Sequence, residues 1–304
     1  MKTGPVTSQH RSGVVAVPPL CRRDDGSLDW PENSRLIAHL RQGGIRRFMY
    51  GGNAFLHHLT LLEYEALLEW LSALDDDSWI IPAAGPSFGR LMDQAPLLRR
   101  HRFSCAMALP CADPRDAAGL EAGLRRFSDA AALPLTVYLK EENNLGADPL
   151  AGLDALARLV QDGVCCAIKY AVVRSAPLND PYLTALLERV DRRFVLSGMG
   201  ERPALDHLRH HQLPGFTSGS VCIAPALSQS LFEACQRQDW PAAASLRQRF
   251  LPLEDFRDAS GPARVLHAAV ALAGIAHTGP IPPFVSLLPP HSLAARPPIA
   301  RALP

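Results

Sequence analysis

Residues 133–170 read LPLTVYLKEENNLGADPLAGLDALARLVQDGVCCAIKY and contain the pattern from which the fold follows. Two continuous apolar runs, 133–139 and 164–170, flank a segment, 149–160, whose leucines recur at helical spacing. Continuous apolar character without strict alternation is typical of strands that are buried on both faces. A buried strand, an amphipathic helix and a second buried strand together predict one parallel β–α–β unit.

Apolar runs of this kind recur along the first two thirds of the chain. They are residues 13–18, 45–50, 78–84, 103–109, 133–139, 164–170, 193–198 and 215–219. Segments with helical spacing lie between them, among them 34–42, 60–74, 149–160 and 181–190. Eight parallel βα units close into a barrel, so we predict an α/β chain with the (β/α)8 TIM-barrel fold.

After Gly219 the alternation stops, and the pattern predicts a C-terminal helical extension. Three helical segments follow without intervening strands, at 226–237, 240–250 and 263–272. The tail from residue 278 is rich in proline, which excludes regular helix or strand there, and we expect it to wrap over the surface or to be partly disordered. The predicted organisation is an N-terminal tail (1–12), a catalytic barrel (13–225) and a C-terminal helical region with a proline-rich tail (226–304).

Charge and composition favour a protein that handles a small molecule. Of the 304 residues 47% are hydrophobic and 20% are charged, and the formal net charge is +1. No basic stripe is present, so nucleic acid and anionic membrane surfaces are poor candidate partners. The N-terminus lacks a signal-peptide core, no apolar stretch is long enough to span a bilayer, and the cysteines show no CxxC spacing. We therefore expect a soluble, cytoplasmic protein with reduced cysteines.

The main candidate for chemistry is Lys169, at the end of the sixth apolar run. Active groups of such barrels project from the C-terminal ends of the strands, where the loops converge on one mouth. A lysine among apolar neighbours has a lowered pKa, because burial disfavours the ammonium form. The neutral amine is the nucleophile that attacks a ketone to form a Schiff base. The alternative is a structural lysine that reaches the surface or pairs with Glu141 or Glu142.

Tyr138 is the candidate proton shuttle. It lies near the end of the fifth apolar run, so we expect it to face the same mouth one strand away from Lys169. From that position its hydroxyl can exchange a proton with the oxygen that leaves during Schiff-base formation. The alternative is a core tyrosine with its hydroxyl at the rim.

Small residues follow two other predicted strands and are candidates for substrate binding. The turn Gly51-Gly52-Asn53 ends the second strand, and its glycines allow backbone amides to approach a carboxylate closely. Ser218 and Gly219 form a small polar rim at the end of the eighth strand.

The histidines offer two further candidates. His57 lies just past the glycine turn and is a candidate for proton transfer, since the pKa of histidine lies near neutrality. The alternative is that it packs at a subunit contact or faces water. His207 and His211 have the i, i+4 spacing of metal ligands, but no acidic third ligand is near them in sequence. We therefore interpret that helix face as solvent-exposed and predict no metal site.

Taken together, these segments resemble the dihydrodipicolinate synthase / N-acetylneuraminate lyase family of Schiff-base barrels. The resemblance runs from about residue 13 to about residue 283, in register. Its matching positions are 16–19, 25–29, 51–59, 63–64, Tyr138, Lys169, 196–198, 215–219, Pro225, 237–240 and Ala244.

The resemblance implies a lyase, either an aldolase or a dehydratase, that acts on pyruvate or another 2-oxo acid. Lys169 falls on the family's Schiff-base lysine and Tyr138 on its tyrosine. It also implies a homotetramer or homodimer. We expect no metal or organic cofactor, because the iminium formed on Lys169 is itself the electron sink.

Several positions depart from the family pattern. The family's loop after the second strand normally reads Gly-Thr-Thr-Gly-Glu, whereas residues 51–55 read GGNAF, so both carboxylate-binding hydroxyls are missing. The synthase's second tyrosine is replaced around Cys111-Ala112, and the arginine after the strand-five tyrosine is absent. Residues 138–144 (YLKEENN) look closer to the sugar-acid dehydratase branch. We therefore do not expect the condensation of the lysine pathway.

A second hypothesis belongs to a different class of function. The barrel has lost catalysis in this hypothesis and serves as a 2-oxo-acid binding or regulatory protein. The missing hydroxyls and second tyrosine favour it, whereas an intact Lys169 and Tyr138 favour the enzyme.

Overall fold

Eight parallel strands form a closed barrel in the computed structural model, which describes residues 4–74, 77–111 and 116–289. The strands are β1 (Gly13–Ala16), β2 (Arg47–Tyr50), β3 (Trp79–Ala84), β4 (Ala106–Ala108), β5 (Leu135–Leu139), β6 (Cys165–Tyr170), β7 (Val195–Ser197) and β8 (Gly215–Ser218). Each strand pairs with the next in the chain, and β8 pairs with β1. The predicted (β/α)8 TIM barrel is therefore confirmed.

The helices surround the barrel and extend beyond it at the C-terminal end. They are α1 (Ser8–Arg11), α2 (Trp30–Gln42), α3 (Leu61–Ser72), α4 (Phe88–His101), α5 (Ala117–Ala131), α6 (Pro149–Gln161), α7 (Pro181–Arg189), α8 (Glu201–His210), α9 (Pro225–Gln236), α10 (Trp240–Ser260) and α11 (Pro262–Leu272). Helices α2 to α9 each follow one strand, as eight βα units require. Within the described residues, no helix combines the length and the apolar character needed to cross a membrane.

Aspartate caps fix where helices begin after the strands. Asp29 accepts a hydrogen bond from the amide of residue 32 at 3.1 Å, and Asp148 accepts from the amide of residue 151 at 3.1 Å. Asp180 caps α7 in the same way and also accepts from the hydroxyl of Tyr170 at 2.6 Å. Because side chains alternate along a strand, Tyr170 reaches outward to this cap while its neighbour Lys169 faces the barrel interior.

The C-terminal extension contains the predicted helices, but α10 is longer than the predicted segment 240–250. It continues through Pro252 to Ser260. A proline inside a helix removes one hydrogen bond and normally ends the helix. Here Phe250, Leu253 and Phe256 are buried on both sides of the proline, so packing offsets that cost. The added length carries the last turns of α10 to the barrel mouth.

The proline-rich segment lies against the surface of the barrel. Residues 278–289 contain neither helix nor strand, as the prolines predicted, and residues 290–304 lie outside the described residues. The amide of Arg22 donates to the carbonyl of Thr278 at 2.9 Å, and the amide of His277 donates to Glu32 at 2.6 Å.

The N-terminal end of the barrel is closed by Arg11. This side chain is buried and donates from Nε to the carbonyl of Arg193 at 2.6 Å and from Nη1 to the carbonyl of Cys166 at 3.0 Å. Two backbone carbonyls, one early in β6 and one just before β7, are thereby satisfied at the face opposite the mouth. In barrels of this kind that face serves stability, whereas the other serves chemistry.

The prediction of a solvent-exposed histidine face on α8 was wrong for His207. Its side chain is buried, and Nδ1 lies 2.9 Å from the hydroxyl oxygen of Ser197. Burial lowers the pKa of His207 to about 4, so the ring is neutral. Among the described residues, no group of three or more His, Cys, Asp or Glu side chains is placed to hold a metal ion.

Candidate active site

A pocket opens at the C-terminal ends of the strands, and residues from distant parts of the chain line it. Lys169, Tyr138, Gly52, Asn53, Gly219 and Arg257 are among its lining residues. The first five were singled out from the sequence, and the fold brings them together. Since barrel enzymes place their active groups at this face, the pocket is the candidate active site.

Lys169 is buried in this pocket, where 5% of its surface is exposed. Neither of the acidic residues suggested by sequence as its partner forms an ion pair with it, and Glu142 pairs instead with Arg174. Burial, with a smaller contribution from the positive charge of Arg257, lowers the pKa of Lys169 to about 7. A substantial fraction of the amine is therefore uncharged and nucleophilic at neutral pH.

Tyr138 lies beside the lysine on the neighbouring strand. The two residues are register partners between β5 and β6, and Lys169 Nζ lies 4.4 Å from the centroid of the Tyr138 ring. Burial raises the pKa of the Tyr138 hydroxyl to about 12, although Arg257 opposes this shift. The hydroxyl is therefore protonated at neutral pH and can donate a proton to a reacting oxygen.

The glycine turn after β2 contributes two residues to the lining of the pocket. Gly52 and Asn53 line it, and in the described chain neither of their N–H groups has a protein acceptor. The side chain of Asn53 is fixed, because its Nδ2 donates to the carbonyl of Val17 at 2.9 Å. Gly51 lies behind the turn, where an added β-carbon would come within 2.7 Å of Met107 Cε. Gly52 and Asn53, rather than Gly51, are thus placed to meet a ligand.

The two residues predicted at the end of β8 have different surroundings. Gly219 lines the pocket. Ser218 is buried, and its hydroxyl donates to Glu201 Oε2 at 2.7 Å and accepts from the amide of Val221 at 3.0 Å. Ser218 therefore supports the wall behind the pocket and does not line it.

His57 lies away from the lining of the pocket. Its side chain is exposed, and its ring packs against that of His58 with centroids 4.2 Å apart. Partial burial and the neighbouring His58 lower the pKa of His57. The position gives no contact with Lys169 or Tyr138 through which it would move a proton.

The main feature that sequence reasoning missed is the contribution of α10. Glu254, Arg257 and Asp258 all line the pocket, and Arg257 Nη1 donates to the hydroxyl of Ser220 at 3.0 Å. The predicted helix ended at residue 250, before these residues. The sequence does indicate the longer helix through the spacing of Phe250, Leu253 and Phe256, which continues the helical pattern beyond Pro252.

Glu254 forms a buried pair with Glu201 at the edge of the pocket. Its two carboxylate oxygens accept from the amides of Glu201 at 2.9 Å and Arg202 at 2.8 Å, and so cap the start of α8. Burial and the nearby carboxylate of Glu201 raise the pKa of Glu254 well above its ordinary value. This pair therefore adds less negative charge to the pocket than two ionised carboxylates would.

Comparison with known proteins identifies the fold. No protein-family model matches the sequence, and no curated protein matches it. The structure of dihydrodipicolinate synthase from Agrobacterium tumefaciens str. C58 matches with a TM-score of 0.84 and 18% identity, covering 98% of this chain and 99% of that one. The synthase from Bacillus anthracis matches with a TM-score of 0.84 and 17% identity, covering 97% and 99%.

A third match has a ligand bound. YagE, a prophage protein of the dihydrodipicolinic acid synthase family from E. coli K12, was solved in complex with pyruvate and matches with a TM-score of 0.80 and 20% identity, covering 96% of this chain and 97% of that one. These identities are low, but the similarity spans nearly the whole of both chains. The chain thus has the fold of the dihydrodipicolinate synthases over almost its entire length.

Proposed function

We propose that this chain is a Schiff-base-forming lyase of the dihydrodipicolinate synthase type that acts on pyruvate or another 2-oxo acid. Lys169 is the nucleophile, Tyr138 is the proton shuttle, and Gly52 and Asn53 bind the substrate carboxylate. The observation that carries the proposal is the burial and the lowered pKa of Lys169. It is a buried lysine at the mouth of the barrel, it has no acidic partner among the residues that the structure describes, and its pKa is lowered to about 7.

The proposed reaction begins with attack of the uncharged Lys169 Nζ on the carbonyl carbon of the 2-oxo acid. A C–N bond forms, and Tyr138 donates a proton to the oxygen, which gives a carbinolamine. The attacking nitrogen returns a proton to the Tyr138 phenolate, and Tyr138 then donates it to the hydroxyl, which leaves as water while the nitrogen lone pair forms the iminium. The iminium accepts the electron pair released when a neighbouring bond to carbon 3 is broken. The same intermediate therefore serves an aldolase and a dehydratase.

Two further considerations support this substrate class. YagE, which shares the fold, was solved with pyruvate bound. The pocket of this chain is lined by the basic residues Lys140, Lys169 and Arg257 and by the acidic residues Glu254 and Asp258, and the pKa of Glu254 is raised, so the balance of charge suits an anionic ligand. The missing hydroxyls of the turn and the absent strand-five arginine are reasons to look for a substrate other than that of the lysine-pathway synthase.

The direct test is reductive trapping. The protein is incubated with pyruvate and reduced with borohydride, which converts the iminium into a stable secondary amine, and the modified peptide is mapped by mass spectrometry. The chain has three lysines, Lys2, Lys140 and Lys169, so the site is assigned without ambiguity. We expect a pyruvate-dependent adduct on Lys169 and none in a folded Lys169→Met variant.

The opposite result leads to the second hypothesis. If neither pyruvate nor larger 2-oxo acids modify Lys169, the catalytic proposal fails. A 2-oxo acid that then still binds, measured by calorimetry, favours a binding or regulatory protein. If the adduct forms, the next step is to assay a panel of sugar acids and aldehydes. Carbon–carbon cleavage and dehydration yield different products, so the products distinguish an aldolase from a dehydratase.

The expected assembly is part of the same proposal. The resemblance implies a homotetramer or homodimer, and light scattering coupled to size-exclusion chromatography measures the mass directly. A monomer at working concentration contradicts that part of the proposal alone.

A further inference from the structure

The guanidinium of Arg257 is a cation of the pocket that no carboxylate of the described chain neutralises. Its side chain is half-buried, Nη1 donates to Ser220, and Nε is buried without a hydrogen-bond partner. A guanidinium has five N–H donors, so most of this capacity is unused. Holding such a group partly out of water costs free energy unless a ligand or partner compensates.

The acidic residues close to this guanidinium are engaged elsewhere. The carboxylate oxygens of Glu254 accept hydrogen bonds from two backbone amides at the start of α8. Asp258 also lines the pocket, and its Oδ2 lies 3.7 Å from Arg202 Nε. Within the described residues neither carboxylate forms an ion pair with Arg257, so its positive charge is available to a ligand in the pocket.

The guanidinium lies next to the glycine turn. Arg257 Nη2 is 2.7 Å, and Asn53 Nδ2 is 2.8 Å, from the position that a β-carbon on Gly219 would occupy. Both donors thus approach one point beside Gly219, next to the turn whose Gly52 and Asn53 amides have no acceptor within the described residues. A cation and two free amides within one small region form a suitable site for a carboxylate.

We infer that Arg257 binds the carboxylate of the 2-oxo acid that reacts with Lys169, an inference that rests on the proposed function for the identity of the ligand. The guanidinium replaces, as a carboxylate-binding group, the two threonine hydroxyls that the turn lacks. It supplies charge-assisted hydrogen bonds from one side, while the amides of Gly52 and Asn53 supply theirs from the other. The C-terminal helix α10 is therefore a component of the binding site and determines its preference for anionic ketones.

Binding is measured in a background that cannot form the Schiff base. In Lys169→Met protein, isothermal titration compares pyruvate with pyruvamide, a neutral amide of nearly the same shape. Adding Arg257→Gln is expected to weaken pyruvate binding by about 10- to 100-fold, the usual loss for one charged partner of a hydrogen bond. Pyruvamide binding is expected to change by less than about threefold, since it carries no charge for the arginine to meet.

Two further variants separate binding from a structural role. Arg237→Gln removes an exposed arginine at the end of α9 and is expected to leave pyruvate binding unchanged. Arg257→Lys keeps the charge and is expected to recover part of the affinity for pyruvate. A purely structural role, through the bond to Ser220, predicts instead that pyruvate and pyruvamide are weakened equally.

Trapping in the Lys169-intact protein gives a second, independent measurement. Arg257→Gln is expected to raise the pyruvate concentration needed for half-maximal adduct by about 10-fold or more. If the wild type forms no adduct but Arg257→Gln still weakens pyruvate binding in the Lys169→Met background, the proposed function fails and the carboxylate site stands. If Arg257→Gln leaves pyruvate binding unchanged, or the parent binds no pyruvate, the inference about Arg257 is overturned.

Discussion

Tyr138 and Lys169 are register partners on β5 and β6, and the lysine nitrogen lies 4.4 Å from the centroid of the tyrosine ring. The ring face therefore contributes to the wall around the amine, and Tyr138 also lines the pocket, where we propose that its hydroxyl moves a proton. The ring of Tyr138 thus packs against the lysine, whereas the proposed chemistry belongs to its hydroxyl. A single substitution that removes only the hydroxyl separates the two roles.

Tyr138→Phe keeps the ring and removes the hydroxyl. We expect the variant to fold and to bind pyruvate normally, because the contact with Lys169 involves the ring. The rate of Schiff-base formation is expected to fall by about 10²- to 10⁴-fold, the range for loss of a positioned acid–base group. Single-turnover trapping measures that rate, and Tyr182→Phe, a tyrosine on the outer helix α7, is the matched control. An unchanged rate in Tyr138→Phe excludes the hydroxyl as the proton shuttle.

The pH dependence of trapping reports on Lys169. Burial and the charge of Arg257 lower the pKa of this lysine from 10.5 to about 7. The neutral amine accumulates above that pH, so the rate is expected to rise through neutrality and then level off. Arg257→Gln removes one of the two causes and is expected to move the midpoint to higher pH. Cyanoborohydride trapping from mildly acidic to mildly alkaline pH measures it, and a midpoint near the ordinary lysine value contradicts the interpretation.

Other titratable groups line the same pocket, and their titration bears on the same experiment. They are Tyr138, Lys140, Glu254, Arg257 and Asp258. The Tyr138 hydroxyl, with its pKa raised to about 12, stays protonated across this range. It therefore contributes no second transition near neutrality.

Lys169→Met is expected to stabilise the fold while abolishing the adduct. The pKa of Lys169 is lower in the folded chain than in the unfolded chain, so the unfolded state binds more protons between pH 7 and 10.5. Wild-type stability therefore rises with pH across that window. The gain from Lys169→Met is greatest below pH 7, at most about 5 kcal/mol for a pKa lowered from 10.5 to about 7, and disappears toward pH 10.5.

Urea unfolding at several pH values measures this gain. Lys140→Met, which makes the same substitution at an exposed lysine, is the matched control. A Lys169→Met variant less stable than the wild type at neutral pH contradicts the view that burying this lysine costs free energy.

The barrel could be predicted from sequence because its signals are local. The runs at 133–139 and 164–170 correspond to β5 and β6, and the intervening leucines lie on α6. Tyr138 and Lys169 followed from the same reasoning, since a residue at the end of a barrel strand faces the mouth wherever the strand lies in the chain.

The position of Arg257 in the pocket could not be predicted from local sequence patterns. Its position depends on α10 continuing past Pro252, and local propensity favours a stop there. The continuation comes from tertiary burial of Phe250, Leu253 and Phe256, which becomes visible once the neighbouring helices are in place. His207 shows the same limit, because its hydrogen-bond partner Ser197 lies on β7 and not on α8.

The absence of a side chain at Gly219 keeps open the space that Arg257 and Asn53 share. The backbone there has φ −85°, which any residue can adopt, so Gly219→Ala brings no conformational strain. The added β-carbon would lie 2.7 Å from Arg257 Nη2 and 2.8 Å from Asn53 Nδ2, with Leu266 Cδ2 at 3.0 Å. The Arg257 guanidinium, the Asn53 side chain or both must therefore shift, which disturbs the proposed carboxylate site between Arg257 and the glycine turn.

We expect Gly219→Ala to raise the pyruvate concentration for half-maximal trapping by about 5- to 50-fold, because donors displaced by about 1 Å bind poorly. Its stability is expected to change little. Gly89→Ala is the matched control, at an exposed position of α4 where an added β-carbon meets nothing within 4 Å. If Gly219→Ala traps pyruvate at wild-type concentrations, the carboxylate does not lie between Arg257 and the glycine turn. The binding determinant must then be sought at the exposed Lys140 on the rim.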